Sequence, residues 1–194
     1  MVKSVNHTLS DAEMLCLKEI KKEGISEYCH DDLNWHHIFI TPTSRVFSIT
    51  ETSEQYLQDM EHSRFVIEEK DSDFLNTSPY STNKKRVNNK IVDVPFEWNR
   101  KRLLLSNPDI FIYRDNITTE SCANTIRFMS DIAIRFSGCG EELLLILMDM
   151  PHFIPAFHNS GKDSEVLIDK YWSKGKWGFC GENLVEFNRE IINI

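Results

Sequence analysis

Residues 109–148 read DIFIYRDNITTESCANTIRFMSDIAIRFSGCGEELLLILM, and this stretch decides the expected fold. It opens with an apolar strand at 109–113 and closes with an apolar run at 143–148. Between them a polar turn leads into an amphipathic segment that ends at Gly138 and Gly140, which is typical of a helix and its stop signal. The stretch therefore predicts a right-handed βαβ unit over 109–148. Apolar side chains recur through the central segment at the three- and four-residue spacings of a helix: Cys122, Ile126, Met129, Ala133 and Phe136.

Three further helices and a hairpin are expected outside this unit. Ser10 and Glu13 form a capping-box pattern and Gly24 is a helix stop, so a helix is predicted over 11–23. Thr52-x-x-Gln55 predicts a short helix to about 60, and the apolar spacing of the tail predicts another from about 182. Residues 35–50 are typical of a β-hairpin. Residues 70–90 are mostly polar and are expected to form a mobile loop.

The expected architecture is a single α+β domain over 1–194, with a mixed β-sheet and about four helices. A length of 194 residues suits one domain with one substantial core. No apolar run reaches membrane-spanning length, and no signal peptide is recognisable. We expect a cytoplasmic protein with no cofactor, whose five cysteines are reduced.

The charge balance limits the class of partner. The net charge is −8, which disfavours non-specific binding to phosphate backbones and favours a partner with a basic surface. We therefore expect a protein that binds another macromolecule, of the immunity, inhibitor or regulatory type. The expected contacts are acidic residues of the first third of the chain and a cationic, aromatic run near its end: Asp31, Asp32, Tyr171, Trp172, Lys174 and Trp177.

A cysteine-dependent hydrolase or deamidase is the alternative from another class. Cys122 falls in the first turn of the predicted helix, where the helix dipole favours a thiolate. His152 or His158 would then act as base, with Asp163 or Asp149 as the orienting carboxylate. The same spacing also places Cys122 on the apolar face of that helix, which favours a structural role over a catalytic one.

The local composition suggests two other candidate sites, one for a metal ion and one for nucleic acid. Cys29, His30, Asp32 and His36 bring metal-ligand types close together in sequence, but without a recognised metal-binding spacing. A basic segment over 84–102, interleaved with Tyr80, Phe96 and Trp98, resembles in composition a surface for RNA or single-stranded DNA. The basic segment is better explained as an edge strand whose basic side chains block pairing with another chain. The basic residues are Lys84, Lys85, Arg86, Lys90, Arg100, Lys101 and Arg102.

Overall fold

The computed structural model describes residues 2–31, 33, 35–57, 60–76, 83–94, 96–120, 125–148, 154–172 and 183–194. This part of the chain contains two α-helices, α1 (Asp11–Glu23) and α2 (Ser164–Tyr171), and a 3₁₀ helix at Ser72–Asn76. The rest of the regular structure is β. The strands are β1 (Val2–His7), β2 (Ile25–His30), β3 (His37–Ile40), β4 (Val46–Leu57), β5 (Met60–Lys70), β6 (Asn83–Val87), β7 (Lys90–Val94), β8 (Asn99–Leu105), β9 (Asp109–Glu120), β10 (Thr125–Gly138), β11 (Glu141–Ile146), β12 (Ala156–His158) and β13 (Asn183–Asn193).

The strands form two large sheets and a separate hairpin. Sheet A has the order β12-β11-β10-β9-β13, and β1 runs parallel to the first half of β10. Sheet B has the order β5-β4-β3-β2-β8, with every pair antiparallel. Strands β6 and β7 pair with each other. The predicted α+β architecture with four helices is therefore wrong, because most of the described chain is antiparallel sheet.

The main core lies between the two sheets and beneath α1. Ile112 and Phe136 of sheet A share one buried cluster with Phe39 of sheet B and Leu17 of α1. The rings of Phe39 and Phe136 are 4.7 Å apart, so the sheets are in direct contact. A second cluster on the opposite face of sheet A packs Phe128 and Ala133 against Ile168 of α2. The central strands of sheet A are thus buried on both faces.

Helix α1 and the first hairpin confirm two predictions. The Ser10 hydroxyl and the Glu13 carboxylate form the capping box, and the Gly24 N–H caps the other end by donating to the Ile20 carbonyl. Strands β3 and β4 pair across the short turn after residue 40. Strand β4 continues to Leu57, however, so the short helix predicted from Thr52 is wrong.

The predicted βαβ unit is wrong because residues 125–138 form strand β10 instead of a helix. A β-bulge at Ile132 shifts the register between β10 and β9, so even-numbered residues change face at this point. Phe128 faces α2, whereas Phe136 faces sheet B. Cys139 and Gly140 both have positive φ and form the two-residue turn of the β10–β11 hairpin, instead of a helix stop.

The C-terminal segment is also a strand. Leu184, Phe187 and Ile191 lie on one face of this strand. The register shift at Val185 places Leu184 and Phe187 three residues apart, and Arg189 lies on the same face between Phe187 and Ile191. This places apolar residues at spacings of three and four, which resemble a helix. The predicted tail helix is therefore wrong, and β13 forms one edge of sheet A.

Within the expected loop at 70–90, Ser72–Asn76 is a 3₁₀ helix and Asn83–Val87 is strand β6. Residues 77–82 lie outside the described part of the chain. Neither α-helix of the described residues has the length and apolarity that a membrane crossing needs.

Candidate functional site

A polar groove of about 380 Å³ lies on the face of sheet A that also packs against sheet B. Alternate residues of a strand point to the same face, and the polar ends of β1, β9, β10 and β13 extend past the buried core. One row of the groove floor crosses these four strands. It is formed by neighbours in register, in the order Ser4, Arg127, Thr118 and Glu186.

A second row lies two residues further along each strand. It runs Asn6, Met129, Asn116 and Asn188 in the same strand order. The amide groups of the three asparagines form no side-chain hydrogen bond within the described part of the chain. The groove floor therefore presents the donors and acceptors of asparagine side chains on both sides of Met129.

The two arginines on this face differ in their partners. Arg114 binds Asp131 through Nε–Oδ1 and Nη2–Oδ2 contacts of 2.6 and 3.1 Å, and Asp131 also accepts from the Leu9 N–H at 2.8 Å. That ion pair joins the start of α1 to sheet A. Arg127 is exposed and forms no ion pair or hydrogen bond with any described residue. Its guanidinium is the unpaired cation of the groove.

The second surface feature is the β6–β7 hairpin. Asn88 and Asn89 have φ of 50° and 62°, which is the pattern of a type I′ turn. Register places Arg86 opposite Ile91 and Lys85 opposite Val92. Ile91 is 73% exposed, and Val87 and Val92 are also exposed. The hairpin therefore combines basic residues with apolar side chains that no described element covers.

The face of sheet A opposite the groove holds a buried ion pair. The guanidinium of Arg189 binds both oxygens of Asp115, at 2.6 and 2.9 Å. The same guanidinium donates to Asp169 of α2 at 2.6 Å and to the Trp172 carbonyl at 2.5 Å. Because Asp115 is fully buried and its partner holds α2 by two contacts, this cluster serves the structure.

The histidines and Tyr28 near the β2–β3 connection are also structural. Tyr28 Oη donates to His37 Nδ1 at 2.6 Å, because His37 Nε2 donates to the Ile154 carbonyl at 2.9 Å. Burial, followed by the Asp31 carboxylate, raises the pKa of Tyr28. These bonds connect sheet B to the segment before β12.

Asp31 organises the β2–β3 loop from a buried position. Its carboxylate accepts from the backbone N–H groups of Leu33, Trp35 and His36 at 2.9 to 3.0 Å, and from His36 Nδ1 at 2.8 Å. Burial raises the pKa of Asp31, but the bonds from His36 and the backbone outweigh it, so the pKa lies below its ordinary value. The carboxylate is completely buried and binds its own loop.

The other residues expected to contact a partner differ in how the structure places them. Trp172 is 3% exposed and donates from Nε1 to the Leu147 carbonyl at 2.5 Å, so it belongs to the core under α2. Tyr171 is half-buried and packs near Phe157. Asp32, Lys174 and Trp177 lie outside the described residues.

The residues of the hydrolase alternative are not brought together in the described part of the chain. Cys122, Asp149 and His152 lie outside it. Asp163 caps α2 by accepting from the Glu165 N–H at 2.8 Å. His158 is on β12, and no hydrogen bond joins it to Asp163 among the described residues.

The proposed metal ligands make other contacts. The Cys29 thiol donates to Glu27 at 3.7 Å, and burial followed by the Glu27 carboxylate raises the pKa of Cys29 to about 12. His30 Nδ1 donates to the Asp31 carbonyl, and His36 binds the Asp31 carboxylate. Asp32 is outside the described residues, and those that are described include no group of three ligands arranged for an ion.

The basic segment is divided between two sheets. Lys84, Lys85 and Arg86 are on β6 and Lys90 is on β7, whereas Arg100, Lys101 and Arg102 are exposed on β8, an edge of sheet B. Phe96 and Trp98 pack edge to face at 4.9 Å, and Trp98 covers the outer side of sheet B. Both rings therefore contact other parts of the protein.

Comparison with protein-family models, curated proteins and solved structures finds no match to this chain. The groove and the hairpin are therefore interpreted from their own chemistry. Sequence reasoning missed the groove because its two rows come from four strands that are far apart in the chain. The available signal was the alternation of Arg114, Asn116 and Thr118 with Tyr113 and Ile117, which is the period of a strand.

Proposed function

We propose that this chain is a cytoplasmic binding protein that recognises another protein, with the β6–β7 hairpin as its main contact element. The observation that carries the proposal is the exposure of Val87, Ile91 and Val92 on a hairpin whose strands pair with neither large sheet. An isolated two-stranded hairpin is marginally stable in water. A partner that covers these side chains would stabilise the hairpin by removing apolar surface from water.

The residues of the hairpin favour a protein over a nucleic acid. Its exposed apolar side chains are aliphatic, and aliphatic side chains bury well in a protein interface but do not stack on bases. Lys85, Arg86 and Lys90 belong to the same hairpin, so acidic groups in the partner suit local docking. The net charge of −8 acts at longer range and still favours a partner that is basic overall. An inhibitor, immunity or regulatory role is consistent with such a binding protein.

A site-specific photo-cross-linker tests the proposal. Benzoylphenylalanine is placed at position 91, and at position 166 as a control, because Val166 is 64% exposed on α2. After irradiation of cells that express the chain, position 91 should give a defined protein adduct that position 166 does not give. The same adduct from both positions, no adduct from position 91, or an adduct removed by nuclease would contradict the proposal.

A second measurement checks the contribution of the side chains. The double variant Ile91→Ser with Val92→Ser should lower co-purification of the cross-linked protein by at least about tenfold, because buried apolar anchors dominate interfaces. Val166→Ser is the matched control and should leave co-purification unchanged. Equal loss in both variants would show that the effect is not specific to the hairpin.

A further inference from the structure

The polar groove of sheet A contains an exposed arginine with no counter-ion among the described residues. We infer that this groove is a binding site for a carboxylate carried by an extended peptide segment, with Arg127 as the residue that binds the carboxylate. On the same face, Arg114 is already neutralised by Asp131. Arg127 instead has Ser4 and Thr118 as its neighbours in register, and neither of these carries a charge. Its guanidinium N–H groups can therefore engage a ligand.

The charge of the groove suits a carboxylate better than a phosphate. A guanidinium binds one carboxylate through two parallel N–H···O bonds, and the neighbouring Ser4 hydroxyl can add a donor, whereas the Thr118 hydroxyl donates to Glu186 at 3.4 Å. The only acidic residue of the two rows is Glu186, whose backbone lies two strand spacings, or about 9.6 Å, from that of Arg127, and whose carboxylate accepts from the Thr118 hydroxyl between them. Glu186 would repel the double charge of a phosphate beside Arg127 more strongly than the single charge of a carboxylate. A single negative charge beside Arg127 fits this arrangement.

The amide groups and the length of the groove suit a peptide. A carboxamide can donate to and accept from one peptide unit, and Asn6, Asn116 and Asn188 form no side-chain hydrogen bond within the described chain. The floor spans four strands, or about 14 Å, which is the length of about four extended residues. The volume of about 380 Å³ is at the lower end of the range for ligand sites. Neither row contains an aromatic side chain on which a base could stack.

Binding in the groove does not depend on the hairpin, since the two features have no residue in common. The probes are the blocked tripeptides acetyl-Gly-Glu-Gly-amide and acetyl-Gly-Gln-Gly-amide, which differ only in the side-chain carboxylate. Each is titrated into ¹⁵N-labelled full-length protein and followed by amide chemical shifts. The glutamate peptide should shift the amides around residues 4–6, 116–118, 127–129 and 186–188. It should bind about tenfold more tightly than the glutamine peptide, because a charge-assisted bond replaces a neutral one.

Variants of Arg127 test the assignment of the carboxylate. Arg127→Gln should remove the preference for the glutamate peptide, and Arg127→Lys should keep part of it, because a lysine keeps the charge but not the paired N–H groups. Arg102→Gln is the matched control, because Arg102 is also exposed and lies outside the groove. All three variants should unfold at the wild-type urea concentration, so that a change in binding reports the site.

Three results would overturn the inference. The first is an equal response to both peptides in wild-type protein, and the second is an undiminished preference in Arg127→Gln. The third is saturation of the groove by inorganic phosphate at lower concentration than by the glutamate peptide, which would make the site a phosphate site. Loss of preference in Arg102→Gln would also place the carboxylate elsewhere.

Discussion

Replacement of Arg189 by methionine should destabilise the fold strongly, because it removes the guanidinium that binds a buried carboxylate. Asp115 is fully buried, and the Arg189 side chain is 12% exposed. The guanidinium forms two bonds to Asp115, one to Asp169 and one to the Trp172 carbonyl. Methionine keeps most of the side-chain volume, so the loss reports the charge and not a cavity.

The expected cost is about 3 to 5 kcal/mol, as for other buried ion pairs that lose one member. Most of it comes from Asp115, which remains desolvated. The contact with Asp169 adds little, because that carboxylate is 61% exposed. Removing both charges, in Asp115→Val with Arg189→Met, should recover at least half of the loss, since apolar residues of similar volume often replace a buried pair without cost.

Equilibrium unfolding in urea at pH 7, followed by circular dichroism, measures these free energies. Arg102→Met is the matched control: Arg102 is exposed on β8, and its replacement should change stability by less than about 0.5 kcal/mol. A loss below about 1 kcal/mol in Arg189→Met would refute the reasoning from burial. A double variant no more stable than Arg189→Met would refute the explanation by an uncompensated charge.

Three further substitutions test local features by the same urea unfolding. Gly24→Ala should lower the unfolding free energy clearly more than Gly140→Ala. Both glycines have positive φ, but a Cβ at Gly24 would lie 2.5 Å from the Leu105 carbonyl oxygen, whereas Gly140 faces open space and its replacement should cost about 1 to 2 kcal/mol. Equal losses in the two variants would contradict this. Asp31→Asn should lower the unfolding free energy most above pH 5. Because the pKa of Asp31 is lowered in the folded protein, its charge stabilises the fold above the unfolded pKa of about 3.9, and this stabilisation is lost as the pH falls through the lower pKa of the folded state. A loss that does not depend on pH would contradict this prediction.

Local signals predicted α1 and the β3–β4 hairpin correctly. The capping box of Ser10 and Glu13 involves residues three positions apart, and Gly24 acts on the helix that directly precedes it. The hairpin at 37–49 likewise depends on neighbours in sequence. Such features are decided within a few residues, so tertiary packing does not need to be known.

The errors at 109–148 and in the tail have one physical cause. A bulge inserts one residue and reverses which face the following side chains occupy. In β10 the bulge at Ile132 falls where the strand is buried on both faces, and in β13 the bulge at Val185 turns a spacing of two into three. A sequence that contains such a bulge resembles a helix of period 3.6. Periodicity alone cannot distinguish the two structures, because the bulge is stabilised by contacts with other strands.

Two of the expected contact residues are buried for a related reason. Asp31 and Trp172 have the side chains of interface residues, but burial depends on what packs over them. The loop after β2 folds around Asp31, and α2 covers sheet A at Trp172. The hairpin and the groove depend equally on long-range pairing, so their exposure becomes visible only in the folded chain.

Side chains alternate between the two faces along the central strands, so the groove residues can be replaced without touching the opposite face. In β9, Asn116 faces the groove, whereas its neighbours Asp115 and Ile117 face the core beneath α2. In β13, Asn188 and Arg189 divide in the same way. A substitution on the groove face at Asn116 or Asn188 therefore removes a side chain that forms no hydrogen bond within the described chain, while the opposite face retains the ion pair and the apolar cluster. If groove variants keep the wild-type unfolding free energy but lose peptide binding, the side chains of that face serve a ligand and not the fold.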